Sequence, residues 1–294
     1  MSVYVEAIAP YDFHEVATKE KAITKLNELK NMFVQYYRME LICHLEIEDY
    51  ENSEFNFDNR YKLSLSILPL DIELGNGYLL IDGAWNYSKY FYKGEENVSW
   101  LRCMFYDVLR VLCIEKAYIV DEFHGTNNIY ADGKEFGSYA MTFEDWKREY
   151  DEPAILPQNA SWPEIEGIYL DTFDDCKKRL NQLQERFSNL EILTTATICE
   201  NFLLALESGH PVLVNEKSGK ILRFGKIDGI NNLFNGAGLQ VFKGNKSSFF
   251  NNMGKKVTPY RVRAFEWRWG KNPNVYNIEV FDVKTGEIIY KKII

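Results

Sequence analysis

Cysteine is scarce in this chain, and what there is stands badly placed for cross-linking. The five residues, Cys43, Cys103, Cys113, Cys176 and Cys199, are odd in number, widely spaced and never arranged as CxxC, so neither a disulfide framework nor a zinc site is expected. They read as small buried hydrophobes in a reducing cytoplasm. No uninterrupted apolar run approaches the roughly 18 to 20 residues of a membrane-spanning helix, and MSVYVEAIAPYDFHE has no basic stretch followed by a long apolar one. The sequence therefore predicts a cytoplasmic protein with no membrane partner.

Catalytic signatures are equally thin. There are four histidines and no HExxH, HxH or Cys/His cluster, so any metal site would have to be assembled from distant segments. Gly236-Ala237-Gly238 is a lone GxG in an Asn- and Gly-rich connection that opens no helix, GNKSS lacks the GK[ST] order, and no GxSxG is present. Nothing calls for a cofactor.

What the chain does have is apolar substance and uneven charge. Its 294 residues are 46% hydrophobic and 15% aromatic, enough for a packed globular protein of two domains or one large one. Residues 1–160 hold 15 Lys plus Arg against 28 Asp plus Glu, a net of -13, whereas residues 161–294 hold 19 against 15, a net of +4. From Asn215 to Ile294 the balance is 15 basic to 6 acidic. Such asymmetry is a statement about partners and internal docking.

The segment 151–167, DEPAILPQNASWPEIEG, gathers Pro153, Pro157 and Pro163 and reads as a linker. It divides an acidic α+β domain over 1–150 from a second domain over 168–294. In the first, SVYVEAIA, RYKLSLSIL, GYLLIDG and KAYIVDEF read as strands. Ala22, Leu26, Leu29, Phe33 and Tyr36 mark one helix, and Leu101, Met104, Phe105, Val108, Leu109 and Leu112 mark a second. Thr142-Phe143-Glu144-Asp145 resembles a capping box opening a third.

The second domain is expected to open with two helices, one carrying Phe173, Cys176, Leu180, Leu183 and Phe187, the other Ile198, Cys199, Phe202, Leu203 and Leu206. Hairpins then follow around Ser218-Gly219 and Thr285-Gly286. In TPYRVRAFEWRW the apolar positions switch from even to odd, which predicts a bulge or bend near Ala264. The fold class is α+β: an N-terminal mixed sheet with helices on it, then a helical pair and antiparallel hairpins.

Three candidate sites emerge. In YIVDEFHG, Glu122 and His124 share a strand face, and Asp82 would join them as acid/base or ligand if its strand pairs in parallel with theirs. Against this stands the ordinary polar end of a strand, where the chain leaves the core. The stretch 242–273 alternates basic and aromatic residues, with Arg261, Arg263, Trp267 and Arg268 placed to meet a nucleic acid. The alternative is that Trp267 and its neighbours are core and the arginines are solvated or paired with acids of the first domain. Last, the acidic run 46–58 carries Tyr50, Phe55 and Phe57, suited to receiving a basic protein.

The leading expectation is a non-enzymatic binding protein whose acidic N-terminal half engages a basic partner, as an inhibitor or an immunity or antitoxin-like protein does. An enzyme at Asp82, Glu122 and His124 comes second. Nucleic-acid binding comes third, disfavoured by the net charge of -9.

Overall fold

The structure is a computed structural model that describes residues 4–11, 16–34, 47–49, 63–67, 70–74, 78–86, 90, 98–121, 154–155, 168–197, 199, 201–225, 227–233, 237–262, 264–271 and 277–293. It divides into two compact units, one of Met1–Asn31 with Ile42–Lys178, the other of Met32–Leu41 with Arg179–Ile294. The fold is α+β and mostly sheet. No helix among the described residues is long and apolar enough to cross a membrane.

The first unit is built on an eight-stranded mixed sheet. Its strands are β1 (Tyr4–Pro10), β2 (Ile47–Asp49), β3 (Leu63–Ile67), β4 (Leu70–Leu74), β5 (Tyr78–Asn86), β6 (Ala117–Asp121), β7 (Ala154–Ile155) and β8 (Tyr169–Asp171). They lie in the order β2-β3-β4-β5-β1-β6-β8-β7. Every pairing is antiparallel except β7 with β8.

Register decides what each face carries, because directly opposed residues point the same way. One face has Val5, Ala7 and Ala9 beside Ile81, Leu79, Ile72 and Leu74, all buried. The other has Ile8, Leu80 and Val120, which are also buried, together with Glu6, Asp82, Asp71 and Glu73.

Helix α1 (Val16–Val34) buries Ala22, Leu26 and Leu29, spaced by four and three residues as the apolar stripe requires. Helix α2 (Trp100–Val111) is capped by Ser99, whose Oγ accepts from the Arg102 N–H at 3.4 Å. Every residue from Leu101 to Leu109 is buried, so this helix is enclosed on all sides.

Helix α3 (Asp174–Arg186) contains the boundary between the units. In the second unit, β9 (Glu191–Ile192), β10 (Phe202–Glu207), β11 (His210–Asn215) and β12 (Ile221–Leu222) form one sheet. A second comprises β13 (Gly229–Leu233), β14 (Gly238–Lys243) and β15 (Lys246–Asn251), and a third β16 (Phe265–Trp269), β17 (Asn277–Asp282) and β18 (Ile288–Ile293). All their pairings are antiparallel.

The alternation of side chains stacks these sheets in layers. Leu203, Ala205, Val212 and Val214 face Leu183 of α3 and Phe187 directly after it. From the opposite face of the same sheet Phe202, Leu204 and Leu213 meet Leu239, Val241 and Phe250. Phe249 and Ala237 then carry the core onward to Phe265, Ile278 and Val280. At about 1.5 to 3 kcal/mol for each fully buried large side chain, this column of interleaved rows is the main source of cohesion in the unit.

Three expectations need correction or narrowing. The second helix expected around Phe202 is strand β10. Its apolar run is buried on both faces of a central strand, and such a run carries neither period. The bulge or bend expected near Ala264 is a bend, at Val262, where the chain changes sheet. Arg261 bridges Ser247 of β15, while Phe265 starts β16 and pairs with Asp282 of β17. Finally, β5 and β6 do not pair with each other in parallel, because β1 lies between them, antiparallel to both. The helix expected after Thr142 and most of the proline-containing segment lie outside the described residues.

Candidate functional site

Of the first candidate site, the structure describes Asp82; Glu122 and His124 lie outside the described residues. What surrounds Asp82 is a row of carboxylates. Strand β5 puts it directly opposite Glu6 of β1 on one side and Asp71 of β4 on the other. Three acids therefore occupy one rung across three adjacent strands. Glu6 is 1% exposed, Asp82 is half-buried and Asp71 is exposed. Along β4, Glu73 falls two residues from Asp71 on the same face, half-buried. The register continues through Ser64 of β3 to Glu48 of β2.

Like charges set directly opposite one another weaken a sheet. Here three of them stand side by side, each engaged in further polar or electrostatic interactions. Glu6 and Asp71 were not singled out from the sequence. Their signal was present: Glu6 is an isolated acid in the apolar strand YVEAIAP, and Asp71 alternates with Glu73 between the apolar residues of LDIEL.

A second polar constellation lies where β8 meets α3. The Asp171 carboxylate, 1% exposed, accepts from Arg102 Nε at 2.6 Å and Nη2 at 2.7 Å, from Tyr90 Oη at 2.6 Å and from the Phe173 N–H at 2.7 Å. Arg102 Nη1 donates to Asp175 at 2.9 Å, and its guanidinium carbon stands 5.8 Å from the centre of the Phe173 ring. Burial works most strongly against the Arg102 charge, but the Asp171 hydrogen bonds and the electrostatic influence of Tyr90, Asp171 and Cys176 together outweigh it and hold the guanidinium above its ordinary range. Burial first, and the Asp171 charge second, push the Tyr90 hydroxyl well above its usual value.

Phe173 has φ 55, an unfavourable conformation for a bulky residue. Its N–H bond to Asp171 and its fully buried ring keep it there. Beside this knot Cys103 Sγ of α2 lies 4.0 Å from Cys176 Sγ of α3. That hydrogen bond, and then burial, hold the Cys176 thiol far above the usual thiol range. The two oxygens of Asp171 already receive four donors, so the cluster acts as a clasp joining α2 to the β8–α3 corner.

The remaining candidates divide. Tyr50, Phe55, Phe57 and Arg263 lie outside the described residues. Arg261 is exposed and exchanges backbone hydrogen bonds with Ser247 at 2.8 and 3.0 Å. Trp267 and Arg268 sit on opposite faces of β16. Trp267 is half-buried with its ring 6.0 Å from that of Trp269. Arg268 Nε donates to Glu279 at 3.1 Å, and Lys291 Nζ reaches the same carboxylate at 2.9 Å. The Lys291 bond, followed by that of Arg268, lowers the Glu279 carboxyl below its ordinary value. Arg268 is thus paired with an acid of its own sheet, not with one of the acidic half.

Among the described residues no group of three or more His, Cys, Asp or Glu is disposed to hold a metal ion. No protein-family model, curated protein or solved structure matches the chain.

Proposed function

We propose that the protein binds a basic protein partner through the solvent-reaching end of its carboxylate row, Asp71 with Glu73 on β4, without catalysis. The observation that carries this reading is the rung of Glu6, Asp82 and Asp71, extended by Glu73 of β4. Burial is graded along it, from fully enclosed Glu6 to exposed Asp71, so the row reaches solvent at its Asp71 end. The surplus of 13 negative charges over residues 1–160 adds long-range attraction for a cationic protein and speeds encounter. A neutralising role of the inhibitor or immunity kind fits a surface of this sort.

The test uses a fluorescent oligolysine peptide and the full chain, with binding followed by anisotropy from 20 mM salt upward. Affinity that falls steeply with salt, and drops at least tenfold in the Asp71→Lys/Glu73→Lys variant, supports the reading. Equal binding by that variant removes it.

A further inference from the structure

The second unit carries a cationic cluster that the acidic face does not involve. From Lys243 to Arg261 the chain holds five basic residues, Lys243, Lys246, Lys255, Lys256 and Arg261, and no acid. The fold brings three of them, Lys243, Lys246 and Lys256, to one face, while Arg261, opposed to Ser247, points the other way. Lys243 and Lys246 oppose each other across the β14–β15 hairpin, and the chain then turns back along β15, so that Lys256 bridges Phe250 and Arg261 bridges Ser247. Lys243 Nζ lies 4.9 Å and Lys256 Nζ 4.6 Å from the centre of one ring, that of half-buried Tyr260.

Two ammonium groups on one aromatic ring repel each other, and the ring offsets this by only about 0.5 to 1 kcal/mol per contact at an exposed site. Among the described residues no ion pair joins any of the five to a carboxylate. Asp228, at the same end of the sheet, spends its Oδ2 on the Gly244 N–H. Lys243, Lys246 and Lys256 form a row that runs from Lys246 to the position of Lys256 opposite Phe250, about 13 Å at strand rise. A single small anion spans two of them; a linear polyanion meets all three.

We propose that the Lys243–Tyr260–Lys256 cluster, with Lys246, binds the phosphodiester backbone of a single-stranded nucleic acid. The lysines neutralise successive phosphates, and the edge of Tyr260 between them offers an apolar surface to a base. The inference is independent of the acidic face and survives its failure.

The experiment titrates a labelled ten-nucleotide oligo-dT with the full chain at several salt concentrations. Three neutralised phosphates give a log–log salt slope of about -2.1, a roughly 20-fold loss between 50 and 200 mM. Lys243→Ala/Lys256→Ala reduces the slope to about -0.7 and the loss to roughly threefold. The control Lys217→Ala/Lys284→Ala, which removes the same charge from exposed positions on other sheets, leaves the slope at its original value. Inorganic phosphate displaces the oligonucleotide only at concentrations far above its own. The proposal is overturned by absence of binding at 20 mM salt, by equal losses in both double variants, by displacement at equimolar phosphate, or by an oligoglutamate of the same charge binding as tightly.

Discussion

Replacing Asp171 by alanine removes the centre of the clasp between α2 and the β8–α3 corner. Four donors lose their acceptor: Arg102 Nε and Nη2, the Tyr90 hydroxyl and the Phe173 N–H. The guanidinium keeps its bond from Nη1 to Asp175, but the arginine is 8% exposed and water cannot hydrate it freely. Breaking a buried pair by deleting one partner costs about 3 to 5 kcal/mol. The loss of the N–H bond at Phe173 adds strain at a residue held at φ 55.

Native-state hydrogen exchange of peptides covering Trp100–Val111 reads the cost within the first unit alone. At tenfold per 1.4 kcal/mol, exchange should accelerate by roughly 100- to 4000-fold. Tyr90→Phe, which leaves the charge pair intact, should cost less, about 1.5 to 3 kcal/mol. Arg102→Met/Asp171→Leu should recover much of the loss, since hydrophobic replacements of a whole buried pair are commonly neutral or better. An Asp171→Ala protein with exchange within fivefold of the parent refutes the assignment of this cluster as the unit's clasp.

Alkali offers a second test. Tyr90 and Cys176 keep their protons in the folded state above their ordinary values of 10.0 and 9.0. The unfolded chain loses those protons first, so stability is complete below about pH 9 and then falls, by about 1.4 kcal/mol per pH unit for each group. Urea melts between pH 8 and 11 measure this; Tyr90→Phe and Cys176→Ala should each flatten the decline, and a flat parent curve counts against both environments. Gly238→Ala should destabilise the second unit by about 1 to 3 kcal/mol, because an added Cβ would stand 2.3 Å from the Phe250 carbonyl oxygen and 2.5 Å from the Phe249 ring; unchanged melting of that variant would show that β14 can move aside. Under native conditions iodoacetamide should label exposed Cys113 well before buried Cys103, Cys176 and Cys199, as peptide mass mapping can establish.

Where periodicity was strong the sequence was an adequate guide. The stripe from Leu101 to Leu112 lies in or directly after α2, and both turns marked by Ser218-Gly219 and Thr285-Gly286 join paired strands. It misled where a strand is enclosed on both sides. FLLALE has no alternation because one face of β10 meets α3 and the other meets the next sheet, and an unbroken apolar run is then as compatible with a helix. The basis of the candidate site was only half legible. Asp82 could be seen as a strand-ending acid, but its neighbours Glu6 and Asp71 come from segments 76 and 11 residues away, and only pairing register brings the three into one row. The same holds for Arg102 and Asp171, which are 69 residues apart. Their trace in the sequence was a charge, Arg102, set between the apolar residues of the first turn of α2.

The most direct test of the proposed basic-partner surface is a footprint. Hydrogen exchange of the full chain, with and without a saturating cationic peptide at low salt, should show protection in peptides spanning β3 to β5, Leu63 to Asn86, that disappears in the Asp71→Lys/Glu73→Lys variant. Protection confined to other segments, or retained after charge reversal, would place cation binding elsewhere and contradict the assignment.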